Sequence, residues 1–145
     1  MKIAIASDHA GLELKISLIE YLTLLEHTVE NFGPFEYNPN DDYPDFAIPA
    51  CKSVVEHKND RGVLICTNGI GMCITANRFK GLRGALVYSD SSAQKSRQHD
   101  NANVLCLGSH EFTKEQIFTF LDIWLVTEFD GERHARRLDK IDNAS

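Results

Sequence analysis

The 145-residue sequence lacks the motifs of the common metal and nucleotide sites. Its four cysteines, at positions 51, 66, 73 and 106, show no C-x-x-C spacing, and no two histidines are spaced as a metal-ligand pair. We therefore expect no structural zinc. There is no G-x-x-x-x-G-K-[S/T] loop, and the glycine pair at 69 and 71 lacks the third glycine of a dinucleotide fingerprint.

The sequence also lacks positive charge and long apolar runs. A formal net charge of −6 argues against nucleic acid or an anionic membrane as the main partner. No apolar segment approaches the roughly 20 residues of a membrane span, and the opening run, Lys2–Ala6, is too short for an export signal. We expect a cytoplasmic protein with free thiols. A phosphate ligand would then need a local cluster of basic residues.

Short apolar segments alternate with helical patterns along the whole chain. Strands are predicted at 2–6, 28–32, 63–66, 83–88 and 103–107, and helices at 9–27, 45–58, 70–79, 89–99 and from 113, with a basic tail helix from about 131. This alternation predicts one α/β domain over residues 1–145, a flavodoxin-like three-layer sandwich with a five-stranded parallel sheet. The commonest strand order, 2-1-3-4-5, places the ends of strands one and three side by side.

The segment from Val63 to Gly71 has the strongest chemical pattern. An apolar strand ends at Cys66, and a turn with two glycines leads into a helix. Backbone amides and a helix N-terminus there would hold an anion and favour the Cys66 thiolate, although an inert buried thiol is the alternative. The strand order brings Asp8 and His9 next to Cys66; Asp8 would serve equally well as an ordinary helix cap.

Two further groups lie elsewhere in the sequence. His99 ends the fourth helix, at the sheet edge opposite Cys66, so a catalytic His99 would have to reach a neighbour's site and would require a two-fold dimer. The alternative is a solvated histidine stabilised by the helix dipole. Arg133 and Arg137 are i, i+4 neighbours beside His134 and can converge on one anion, or they form a solvated helix face.

Several ordered motifs together are more specific than any one of them. They are Ser7-Asp8-His9-Ala10-Gly11, Asp42-Tyr43-Pro44, Ile65-Cys66 with Gly69 and Gly71, Ala76-Asn77-Arg78, Ser96-Arg97-Gln98-His99, Asn103-Val104-Leu105 with Gly108-Ser109, and Gly131-Glu132-Arg133-His134 with Arg137. Through these motifs the chain resembles, nearly end to end, the type B ribose-5-phosphate isomerase family, which includes galactose-6-phosphate isomerase subunits. The resemblance implies interconversion of ribose 5-phosphate and ribulose 5-phosphate without a metal or an organic cofactor. It also implies a homodimer with shared active sites, sometimes paired into tetramers.

The resemblance also implies a role for each matching residue. Cys66 would be the base that moves a proton between C2 and C1, and Asp8 and His99, from different subunits, would open the sugar ring. Binding roles would fall to a wider set: Tyr43 and Asp100 near the sugar hydroxyls, the amides of Thr67, Asn68, Gly69, Ile70 and Gly71 at the enediolate oxygen, and His9, Arg133, His134 and Arg137 at the phosphate.

Some positions depart from the family pattern. Thr67-Asn68 replaces the usual Gly-Thr or Gly-Ser after the cysteine, Asp100 replaces Asn, and His110 replaces a phosphate-binding Arg. One branch of the family uses a Glu as base where this chain has Met72, which favours Cys66. Two alternatives stay open: a six-carbon substrate such as allose or galactose 6-phosphate, and a regulatory domain that binds sugar phosphates without turnover.

Overall fold

The structure, a computed structural model, describes residues 1–144. Its strands are β1 (Lys2–Ser7), β2 (Thr28–Asn31), β3 (Arg61–Cys66), β4 (Gly84–Leu86) and β5 (Val104–Gly108). Its α-helices are α1 (Leu12–Leu24), α2 (Tyr43–Val55), α3 (Ile70–Ala76), α4 (Asp90–Gln98), α5 (Lys114–Val126) and α6 (Arg133–Asp142), and a 3₁₀ turn (His9–Gly11) precedes α1. Within these residues no helix is both long and apolar enough to cross a membrane.

The predicted fold class is confirmed: the five strands form one parallel sheet with helices on both faces. The predicted strand order was wrong in one respect. The observed order is β2-β1-β3-β5-β4, so β5 rather than β4 lies beside β3. All five residues of β5 are buried, which suits an interior strand, whereas the three residues of β4 are half-buried at the sheet edge.

Alternating strand residues build two cores on opposite faces of the sheet. One core packs large side chains against α1, α4 and α5, with Ile3, Ile65 and Trp124 completely buried. The other packs smaller residues such as Ala4, along with Cys66, against α2 and α3. Because β4 lies at the sheet edge and β5 lies inside it, the chain reverses its direction across the sheet after β4. Helix α4, which connects these two strands, therefore packs on the face opposite α3 and belongs to the first core.

Local signals account for most helix boundaries. Capping boxes begin α4 at Ser89 and α5 at Thr113, where the side chain of Gln116 completes the box. Helix α2 begins at Tyr43, two residues earlier than the sequence pattern indicated, and Pro49 lies inside it.

Candidate active site

The carboxyl ends of β1, β3 and β5 meet at one crevice. Ser7 pairs with Ile65, and Cys66 pairs with Gly108. Beyond the strands, the Asp8 amide donates to the Ile65 carbonyl over 3.3 Å, and the Ser109 amide donates to the Cys66 carbonyl over 2.8 Å. The predicted meeting of Asp8 and His9 with Cys66 is therefore present in the structure. With the predicted strand order, the segment after β4 would have flanked Cys66 on its other side. In the structure the segment after β5 does so.

Cys66 lies at the floor of this crevice, only 5% exposed. The Gly69 amide donates to its Sγ over 3.1 Å. The Gly69 N–H therefore points at the sulfur from the loop that follows β3. Cys51 is buried in the same core, and burial raises the pKa of its thiol to about 11.

The loop after Cys66 has little freedom. Gly69 has a φ of +79°, and a Cβ there would lie 2.7 Å from Leu86 Cδ1 and 2.9 Å from the Leu107 carbonyl carbon. Asn68 Oδ1 accepts the Ile70 amide over 3.0 Å, so the Asn68 side chain closes the turn. Gly69 and Ile70 thus use their amides within the loop. Of the amides expected to face the substrate, those of Thr67, Asn68 and Gly71 are left as candidate donors.

Tyr43 reaches the same loop from α2. A Cβ on Gly71 would lie 2.5 Å from Tyr43 Cζ and 2.7 Å from its hydroxyl oxygen, so the absence of a side chain at 71 allows the ring to lie against the loop. The structure therefore brings this phenol to the crevice, where the resemblance had placed it.

Asp8 and His9 follow β1 at the crevice rim. Asp8 is 7% exposed, and its Oδ1 accepts the Gly11 amide over 3.2 Å, so it does cap the 3₁₀ turn. His9 Nδ1 lies 2.5 Å from Asp41 Oδ1. This hydrogen bond is the main cause of an upward shift in the His9 pKa, which the charges of Asp41 and Asp8 reinforce. Asp41 was missed in the sequence because its loop, 33–42, has no periodicity to indicate which side chain points inward.

A cavity of about 500 Å³ opens beside His9, lined by Tyr37, Thr67 and His110 among others. The His110 amide donates to the Thr67 carbonyl over 3.1 Å, which ties the turn after β5 to the loop after β3. Ser109 Oγ also donates to the Ala10 carbonyl over 2.9 Å. The segment after β5 is therefore a wall of the crevice, and a Gly-Ser pair directly after a buried strand was the available signal for it.

The remaining candidate residues form a second group. His99 caps the C-terminus of α4, and its ring stacks on that of His134 with centroids 4.2 Å apart. Asp100 is exposed beside it. Arg133 and Arg137 lie one turn apart on α6, both exposed and neither in an ion pair within residues 1–144. The convergence of the two guanidinium groups on one anion stays a prediction.

Positive side chains lie around the His134 imidazole in this group. Burial lowers the pKa of the His134 imidazole, and the positive charges of His99, Arg133 and Arg137 lower it further. His99, Asp130 and His134 also bring three possible ligand atoms within 4.8 Å of one another. At the other site, Asp8, His9 and Asp41 are equally close, but there the carboxylate and the ring nitrogen are hydrogen-bonded to each other. The expectation of no metal stays a prediction.

One chain does not bring the two groups together. His99 precedes the start of β5, whereas Cys66 pairs with the last residue of β5. Five residues of strand at about 3.3 Å each separate these edges by roughly 15 Å. A complete constellation would need residues from two copies of the chain.

Comparison with known proteins identifies the family of this α/β chain. The family model described as Ribose/Galactose Isomerase matches residues 3–141. The chain is 46% identical over 140 residues to a probable ribose-5-phosphate isomerase B of Mycoplasma genitalium, covering 96% of this chain and 92% of that one.

Solved structures give the same result. The crystal structure of ribose-5-phosphate isomerase B from M. genitalium with bound ribulose-5-phosphate superposes with a TM-score of 0.94 at 46% identity, covering 97% of this chain and 93% of that one. A ribose 5-phosphate isomerase from Thermotoga maritima superposes with a TM-score of 0.95 at 43% identity, covering 99% and 98%. The chain belongs to the ribose/galactose isomerase family.

Proposed function

We propose that the protein is an aldose–ketose isomerase that interconverts D-ribose 5-phosphate and D-ribulose 5-phosphate. The observation that carries this proposal is the Cys66 sulfur, which accepts the Gly69 amide at the carboxyl end of β3 in a crevice rimmed by Asp8 and Tyr43. Family membership and the ribulose-5-phosphate bound to the M. genitalium relative support the substrate.

The first chemical step opens the furanose ring. Asp8 of one subunit and His99 of the other act as an acid–base pair. One takes the proton of the C1 hydroxyl and the other gives a proton to the ring oxygen as the C1–O bond breaks. Asp8 is buried and oriented by the Gly11 amide, so its position at the crevice does not depend on substrate.

The second step transfers hydrogen along the open chain. The Cys66 thiolate takes the C2 proton, the electron pair forms a C1–C2 double bond, and negative charge develops on O1. The O2–H proton then moves to O1, and the thiol returns its proton to C1, which leaves the ketone at C2. Positioned proton transfer contributes roughly 10²–10⁴-fold. Stabilisation of the enediolate oxygen by the amides of Thr67, Asn68 and Gly71 supplies a comparable share.

Substrate binding in this proposal requires a homodimer with shared sites, with association into tetramers as a further level. Arg133, His134 and Arg137 from one subunit hold the phosphate, and Asp100 contacts sugar hydroxyls, at the crevice of the other subunit. The stacked His99–His134 pair supports this, because it presents His99 beside the phosphate-binding helix. Binding remote from the reacting carbons places C1 and C2 at the base.

The proposed setting is the cytoplasm and the non-oxidative branch of the pentose phosphate pathway. The four free cysteines in the structure support a reducing compartment.

An isomerase assay with the purified protein tests the proposal. We expect ribulose 5-phosphate to form from ribose 5-phosphate, with kcat/KM higher than for galactose 6-phosphate or allose 6-phosphate. The matched family includes galactose isomerases, so a preference for a six-carbon sugar is the second candidate and would overturn the substrate assignment. Binding of sugar phosphates without turnover of any of them would identify a regulatory domain.

A further inference from the structure

We propose that Asp41 is a positioning residue that keeps His9 protonated, so that His9 presents a charged donor to the phosphate group in the adjoining cavity. This inference rests on the proposed function for the identity of the phosphate, but its central measurement does not require turnover. Asp41 lies on the loop between β2 and α2 and is outside the set of residues expected from the sequence.

The contacts between the two residues define a fixed arrangement. Asp41 Oδ1 accepts both the His9 backbone amide, over 3.1 Å, and the ring Nδ1, over 2.5 Å. The edge of the Tyr37 ring lies against the imidazole with centroids 5.8 Å apart. Backbone and ring are thus held by one oxygen, which leaves Nε2 as the ring atom available to a ligand.

Burial of the carboxylate determines the charge of the pair. The Asp41 side chain is 7% exposed, and its Oδ2 is buried without a hydrogen-bond partner. No lysine or arginine within residues 1–144 forms an ion pair with it. A buried carboxylate without a cation is costly, so the imidazolium of His9 is the compensating charge. The carboxylate in turn stabilises that imidazolium at higher pH than a free histidine would keep it.

The other titratable groups around His9 come from several elements. Asp8 precedes it and reinforces its positive charge, Glu13 comes from α1, Tyr37 from the same loop as Asp41, and His110 from the turn after β5. The cavity beside His9 is therefore lined by two histidines, His9 and His110, and by one carboxylate, that of Glu13. A dianionic phosphate is the group that such a donor pair would recognise.

The direct test is an NMR titration of the imidazoles between pH 5 and 9, with the His9 signal assigned by its loss in His9→Gln. We expect His9 of the unaltered protein to titrate above 6.5, the ordinary value. In Asp41→Asn its midpoint should fall by roughly one pH unit. The matched control is Asp42→Asn, which removes an adjacent, exposed carboxylate that makes no side-chain cap to α2, and it should leave the midpoint unchanged.

Binding provides the second readout, with inorganic phosphate as the probe. At pH 7.5 we expect Asp41→Asn to bind about tenfold more weakly than the parent, and at pH 5.5 to bind within about twofold of it, because His9 is then protonated in both. In a His9→Gln background, Asp41→Asn should have no additional effect. If the protein isomerises ribose 5-phosphate, KM should follow the phosphate affinity while kcat stays nearly constant.

Three results would overturn the proposal. They are a His9 that titrates below 6.5 in the unaltered protein, an unchanged midpoint in folded Asp41→Asn, and a loss of phosphate affinity of equal size at both pH values. The first needs no variant, so the test survives even if Asp41→Asn fails to fold. A protein without isomerase activity but with the expected titration would refute the proposed function and leave this inference standing.

Discussion

At the carboxyl end of the sheet the functional side chains are buried and fixed by hydrogen bonds, whereas at the amino end they are stacked or exposed. Cys66 and Asp8 each accept a backbone amide and are less than one-tenth exposed. Arg133 and Arg137 have no ion-pair partner in the part of the chain that is described. Cys66 and Asp8, which are proposed to act in bond breaking, are thus held within one chain, while Arg133 and Arg137, which are proposed to hold the phosphate, face outward, as an anion or a second chain would require.

Removal of the Cys66 sulfur should have the largest effect on activity. In Cys66→Ala we expect kcat for ribose 5-phosphate to fall by about 10³-fold or more, since the variant lacks the thiolate that is proposed to take the C2 proton. Substrate affinity, measured by calorimetry, should change little. Cys73→Ala is the control, because Cys73 is a half-buried thiol whose Sγ faces the Gly84 carbonyl, and it should keep its activity within about twofold. Substantial turnover in Cys66→Ala would assign the base elsewhere.

A mixture of two inactive variants tests whether the two ends act across subunits. Cys66→Ala and His99→Ala, co-expressed and allowed to associate, should regain about a quarter of the parental activity, because half of the dimers are mixed and each has one intact site. Each variant alone should stay nearly inactive. The readout is specific activity with mass spectrometry of the mixed dimer. Mixed dimers without recovery would place both residues in the same subunit's site.

Neutralising the outward-facing arginines should affect binding more than chemistry. For Arg133→Ala and for Arg137→Ala we expect KM to rise by roughly tenfold or more, with a smaller change in kcat. Arg136→Ala removes a third exposed arginine, about 100° around α6 from Arg137; it is the matched control and should leave KM within about twofold. An equal effect of all three substitutions would indicate a general loss of positive charge in place of a defined phosphate site.

The tight packing of the loop after β3 can be tested by substituting two glycines. Gly69 and Gly81 both have positive φ, but a Cβ at 69 meets Leu86 and Leu107, whereas a Cβ at 81 meets nothing within 4 Å. Gly81→Ala should cost about 1 kcal/mol of unfolding free energy from backbone strain alone. Gly69→Ala should cost about 2–3 kcal/mol more. Denaturant unfolding measures both, and equal losses would contradict the tight packing of the loop.

Local patterns in the sequence were sufficient for much of this structure. The strand that ends at Cys66, the turn after it and the capping box at Thr113 depend on neighbouring residues, so they could be predicted. The order of β4 and β5 depends on which of the two strands pairs with β3, a long-range contact that local sequence patterns do not indicate. In the structure the strand beside β3 is β5, and all of its residues are buried. That the amino-end groups complete a neighbour's site stays a prediction.

Asp41 shows a different limit of sequence analysis. It lies in a segment rich in proline and asparagine, where neither period 2 nor period 3.6 indicates an inward direction. Its function in the fold depends on His9, which is 32 residues away. Only the path of the loop over the end of β1 brings the carboxylate to the imidazole.

Because β5 lies beside β3, the turn after β5 borders the crevice, although the sulfur belongs to β3. His110 follows β5, which is far from Cys66 in the sequence, and yet borders the cavity beside His9. Changes in the length or side chains of that turn can alter which carbon chain fits, with the sulfur, its amide donor and the rim strand left untouched. A single tight bend can thus change the shape of the ligand space without disturbing the strand that carries the sulfur.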